Sequence, residues 1–142
     1  MQIKHILLYG IIGVSFILLI VGFWYRSQPN LEIGKRLVDN SCGVCHDLTS
    51  EKKHERGPYL WGVYNRPAGS SGFPYSEAFL AKLEKGSFIW DDKHLEMFIA
   101  NPMQFIPRTN MGKQNSKHPT AFSGIESASN REDVLAYIKT LK

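Results

Sequence analysis

Five consecutive residues carry the chemistry of this chain: Cys42-Gly43-Val44-Cys45-His46. Two thiols three positions apart, followed at once by a histidine, form the C-x-x-C-H pattern of covalent haem c attachment. On one helical turn, the thiols can add to the two vinyl groups of a single porphyrin. The adjoining imidazole then lies under the iron as its proximal ligand. Cys42 and Cys45 are therefore expected to hold one haem c, with His46 as the proximal iron ligand.

Other chemistries use the same two thiols. Half of a zinc site would need two further ligands at sensible spacing, and the chain has only these two cysteines. His46 and His54 make an odd pair for that purpose. A thioredoxin-type dithiol would sit in a strand–helix–strand pattern, and none surrounds the motif.

The elements that must position the motif follow from capping residues and apolar spacing. Asn30 can cap a helix from Leu31 to about Ser41, with Ile33, Leu37 and Val38 on one face and Gly34 leaving room for close approach. Gly57-Pro58 is a turn signal, and the rigid Pro58 carbonyl can be aimed at the second ring nitrogen of His46. Asp91 or Asp92 can cap a helix to about Ala100, with Leu95, Phe98 and Ile99 inward and Asn101-Pro102 as its stop. Asn130 is the expected cap of a last helix, in which Val134, Tyr137, Ile138 and Leu141 form an i, i+3, i+4, i+7 stripe. A distal ligand must come from the remaining donors. Met1 starts the chain, Met97 lies in a helical pattern, and Met103 directly follows a proline. Met111 lies in a Pro/Thr/Asn-rich loop from which a thioether can turn inward. Methionine also commonly fills a core, and His54, His94 and His118 are further candidates.

The 142 residues suit one domain with an appendage, and 21% charged with 12% aromatic residues is a globular composition. A net charge of +4 without a basic run or a nucleic-acid motif gives no sign of a nucleic-acid partner. Residues 6–25 read ILLYGIIGVSFILLIVGFWY, uncharged throughout. About 20 such residues span a hydrocarbon core as a helix, and Trp24 and Tyr25 suit the interface. The run is longer than the apolar part of a cleavable signal, and no A-x-A-like site follows it. Residues 1–25 are thus expected to form an uncleaved signal anchor spanning the membrane once. Residues 26–30 are a short linker and residues 31–142 the haem domain.

In family order and spacing, Gly34, Cys42–His46, Gly57-Pro58-Tyr59-Leu60-Trp61-Gly62, Arg66, Gly72-Phe73-Pro74-Tyr75-Ser76, Trp90, Asn101-Pro102, Phe105 to Met111, Phe122-Ser123-Gly124-Ile125 and Arg131 to Leu141 resemble class I cytochrome c, the mitochondrial and bacterial type. The resemblance implies an all-α haem domain, here behind one N-terminal transmembrane helix. It implies Met111 as distal iron ligand and Arg66, Tyr75 and Trp90 as contacts of the haem propionates, with Pro58 accepting from His46. Buried carboxylates need such donors or positive charge. Two departures stand out. Phe98 occupies a position where the family usually has a tyrosine. Residues 112–121 are inserted between Met111 and Phe122, either as a partner-docking loop or as a tolerated surface insertion.

The resemblance further implies a one-electron carrier rather than an enzyme, with no small-molecule substrate. Anchored members of the family connect a quinol–cytochrome c reductase to a terminal cytochrome c oxidase. Haem attachment on the outer face of an energy-coupling membrane sets the expected location. That is the bacterial inner membrane, with the N terminus cytoplasmic and the haem domain periplasmic. Two other functions are weighed against this one: a fixed cytochrome c subunit of a larger oxidase or dehydrogenase, and a haem enzyme such as a peroxidase. The last needs an open iron position and a second catalytic group, and Met111 ligation leaves neither.

Overall fold

The computed structural model of the chain describes residues 12–22, 28–112 and 122–142. Residues 12–22 are helical (α1), and their large apolar side chains, from Ile12 to Val21, are exposed. Among the described residues no helix is long and apolar enough to cross a membrane. The remainder of the apolar run, with Trp24 and Tyr25, and residues 113–121 of the 112–121 insertion lie outside the described residues.

The domain begins at Asn30, whose side-chain oxygen accepts from the backbone N–H groups of Glu32 and Ile33, both at 3.0 Å. This satisfies two of the free donors at the start of α2 (Leu31–Leu37). The expected helix continues to Cys42, but its last part, Val38–Cys42, is a single π-helical turn closed by Gly43 N–H on the Val38 carbonyl at 2.9 Å. Gly43 permits this wider turn. A Cβ there would stand 2.7 Å from the Asp39 carbonyl oxygen.

Three helices form the middle of the domain. α3 (Glu77–Glu84) is capped by Ser76 and turns Phe79 into the core; the apolar pattern of the sequence did not suggest it. α4 (Asp92–Ala100) starts at Asp91, whose carboxylate accepts from His94 N–H at 2.9 Å. It buries Leu95 and Ile99 and packs Phe98 against the core, as their spacing required. Asn101 ends α4 and caps the one-turn α5 (Pro102–Phe105). A 3-10 turn, Asn110–Gly112, follows. Among the described residues there is no strand, only an isolated antiparallel bridge between Pro67 and Ile89.

The last helix, α6 (Ala128–Ile138), is capped by Ser127, not by Asn130 as the sequence suggested. Ser127 holds extended backbone and its hydroxyl accepts from Asn130 N–H at 3.3 Å. Asn130 is therefore the donor within the first turn. Val134, Ile138 and Leu141 are buried, with Tyr137 packed beside them.

α2 and α6 cross at Gly34, where backbone meets backbone. A Cβ there would overlap the Asp133 carbonyl, 2.7 Å from its carbon and 3.1 Å from Cβ of Tyr137. The buried Asp133 carboxylate accepts from Asn30 N–H at 2.6 Å, tying the start of α2 to the same helix. Gly34→Val should therefore lower stability by about 1–3 kcal/mol or more, the range for an overpacked core. A urea titration checks this, and an unchanged midpoint would mean that the crossing adapts.

Candidate haem site

The π turn delivers Cys42 into the core, while Cys45 is half-buried. Both thiols are free. Cys45 and His46 N–H groups both donate to the Cys42 carbonyl at 3.0 Å, so the motif is one tight turn. Burial, with Cys45 nearby, pushes the Cys42 thiol up to about 12. Among the described residues no group of three or more His, Cys, Asp or Glu side chains is placed to hold a metal ion. Among those residues the thiols thus lack the partners of a zinc centre.

His46 is held from two sides. Its Nδ1 lies 2.6 Å from the Pro58 carbonyl oxygen, to which it donates. This fixes the tautomer and leaves Nε2 with a free lone pair for a metal. Burial pushes the imidazole's pKa down, and the Pro58 carbonyl pulls it the other way. Gly57 lies flat against the ring: a Cβ there would stand 2.7 Å from Nδ1 and 2.9 Å from Nε2. Its N–H donates to the Cys45 carbonyl at 2.9 Å. The Gly-Pro pair therefore does more than turn the chain. Glycine admits the ring and proline supplies the acceptor.

Arg66, Tyr75 and Trp90 are drawn into one neighbourhood. Trp90 N–H donates to the Arg66 carbonyl at 3.0 Å, beside the Pro67–Ile89 bridge. Trp90 is buried, and Phe79 links it to Tyr75, stacking on Tyr75 at 4.5 Å and tilting on Trp90 at 6.3 Å. The Tyr75 hydroxyl pairs with Ser71 Oγ at 2.7 Å. Arg66 donates to the carbonyls of Tyr59 (2.8 Å) and Trp61 (3.2 Å), and its guanidinium lies 4.5 Å over the Tyr59 ring. A guanidinium has five donors, so these bonds leave others for a carboxylate.

Met111 sits half-buried on the 3-10 turn. Two neighbours position that turn, and neither stood out in the sequence. Thr109 is buried, with its N–H on the Ile106 carbonyl at 3.0 Å. It follows Arg108, whose φ of 67° lies in the left-handed region. Met103 packs on Gly112, where a Cβ would meet its sulfur at 2.8 Å. Phe98, in place of a tyrosine, packs against Trp90 (5.2 Å) and Phe105 (5.9 Å) and brings no hydroxyl. The half-buried His94 pairs with Asp91 at 2.7 Å, and His54 lies against the Ser71 carbonyl at 2.9 Å.

The arrangement fits a covalently attached haem: paired thiols on one turn and an oriented neutral imidazole in a glycine-lined cradle. Gly57→Ala should displace the His46 ring from Pro58 and lower covalent haem incorporation severalfold. Gly86→Ala, whose Cβ would meet nothing within 4 Å, should leave incorporation unchanged. Haem staining of denatured protein checks both.

Residues 31–142 match the family model described as Cytochrome c. Similar proteins include the cytochrome c of Theileria parva, 33% identical over 75% of this chain and 81% of that protein. The cytochrome c of Euglena viridis is 36% identical over 78% of this chain and 96% of its own. A cytochrome c homolog of Bradyrhizobium diazoefficiens is 40% identical over 70% of this chain and 48% of that protein. Together with the Cys42–His46 turn, these matches make the chain a haem-containing electron carrier with haem c attached through its two cysteines; it belongs to the cytochrome c family.

Proposed function

We propose that this protein is a membrane-anchored one-electron carrier between respiratory complexes, from a quinol–cytochrome c reductase to a terminal oxidase. The observation that carries the electron-transfer reading is the oriented imidazole, His46 Nδ1 on the Pro58 carbonyl at 2.6 Å. The haem supplies a one-electron couple. Cys42 and Cys45 would hold it covalently, and His46 and Met111 would ligate its iron. A ligand set supplied wholly by the chain would need little rearrangement between the oxidised and reduced forms. Arg66, Tyr75 and Trp90 would receive its carboxylates, and Pro58 keeps His46 in one tautomer. A thioether opposite an imidazole raises the potential relative to two imidazoles.

The anchor reading rests on the uncharged run 6–25 and on the exposed apolar side chains of α1. It sets the chain in a bacterial inner membrane with the haem domain on the periplasmic side. Residues 26–30 then tether the domain within at most about 17 Å of the span. So short a tether also favours a second reading, a fixed cytochrome subunit of a larger complex.

Met111→Ala should lower the midpoint potential and abolish the low-spin spectrum; if both stay as they were, Met111 is not the ligand. For the anchor, a haem-stained native gel of membranes dissolved in mild detergent should show stain at the size of a small protein in its micelle. Stain migrating with a large complex instead would identify a fixed subunit, and haem staying soluble without detergent would rule out the anchor.

A further inference from the structure

Asp47, the residue directly after the proximal histidine, holds both arms of the loop that carries Pro58. One carboxylate oxygen accepts from Thr49 N–H at 2.9 Å and from the Thr49 hydroxyl at 2.8 Å. The other accepts from Lys53 N–H at 2.7 Å. This ties down the outgoing arm, including Lys52 with its left-handed φ of 55°. The returning arm comes back to the same residue, where Leu60 N–H donates to the Asp47 carbonyl at 2.8 Å. Between the two tie points lie Gly57, flat against the His46 ring, and Pro58, whose carbonyl accepts from Nδ1. Among the described residues Asp47 is the one side chain that accepts from both the Thr49 and the Lys53 backbone N–H groups.

We infer that Asp47 is a positioning residue for the proximal ligand: it closes the 47–60 loop so that the Pro58 carbonyl stays on His46, and thereby sets how strongly His46 donates to the iron. The inference rests on the reading of His46 as the proximal haem ligand. A histidine ligand is made more basic by the acceptor on its second nitrogen, and such acceptors tune the metal they never touch. If the loop opens, the Nδ1–H···O bond weakens, His46 becomes a poorer donor, and the oxidised iron loses more than the reduced one.

The test uses the full-length haem-loaded protein and two readouts: the midpoint potential, and deuterium exchange of the His46 Nδ1 proton by NMR. Asp47→Ala should raise the potential and speed the exchange severalfold. Asp47→Asn removes the charge but keeps an oxygen for Thr49, so its shift should be less than half as large. Thr49→Val keeps the charge and loses one bond, so the potential should rise slightly. An Asp47→Asn shift as large as that of Asp47→Ala would overturn the inference, because a lost charge alone would then explain it. So would an Asp47→Ala protein with unchanged potential and exchange. Where Asp47→Ala fails to retain haem, unchanged values in both Asp47→Asn and Thr49→Val overturn it equally. Wild-type protein without covalent haem would overturn the carrier reading itself, and this inference with it.

Discussion

The close passage of α2 over α6 is the constraint on which the rest depends. At Gly34 two helix backbones touch with no side chain between them, and the buried Asp133 holds the first N–H of the domain. The order of parts follows. α2 can lie in only one place, so the turn that continues it emerges at a fixed point, and Cys42, Cys45 and His46 appear there together. Apolar burial of Val38, Val134 and Ile138 supplies the favourable free energy; the glycine decides the geometry in which that burial is possible.

The site is then assembled by loops hung from this pair. The loop after His46 folds back to put glycine and proline against the ring. The segment around Arg66 runs beside Trp90, and α3 contributes the aromatic bridge between Trp90 and Tyr75. The chain after residue 121 is pinned on the far side: Ile125 N–H donates to the Ile99 carbonyl at 2.8 Å. Arg131 reaches Glu96 at 2.7 Å and the Ile125 carbonyl at 2.8 Å. The last helix and the segment leading into it are thereby both referred to α4.

What the sequence disclosed and what it hid have physical reasons. C-x-x-C-H was legible because two thiols and an adjoining histidine in so short a run carry a chemical signature of their own. The stripes of α4 and α6, and the gap at Gly34, were legible because burial imposes the period of the helix. The cap of α6 was not: Ser127, Ser129 and Asn130 are all good caps, and only the tertiary path of the chain selects the first. α3 escaped notice because its apolar face is short. The π turn could not be read at all, since it depends on a close approach between Gly43 and Asp39 that no local pattern encodes. Asp47 and Thr49 did carry a signal, the Asx-turn pairing of an aspartate with the residue two further on. It was overshadowed by the motif just before it. Thr109 and Met103 gave none, because their importance lies in what surrounds them.

The bond between Asn30 and Asp133 has a mechanical consequence. Asn30 is where the N-terminal segment joins the domain, and its N–H is held by a carboxylate on the opposite helix. A pull along that segment therefore enters at the helix crossing. The load spreads into α2 and α6 together before it reaches the loop around His46 or the turn bearing Met111. The domain can be tugged and reoriented as a unit while the spacing between His46 and Met111 is left undisturbed.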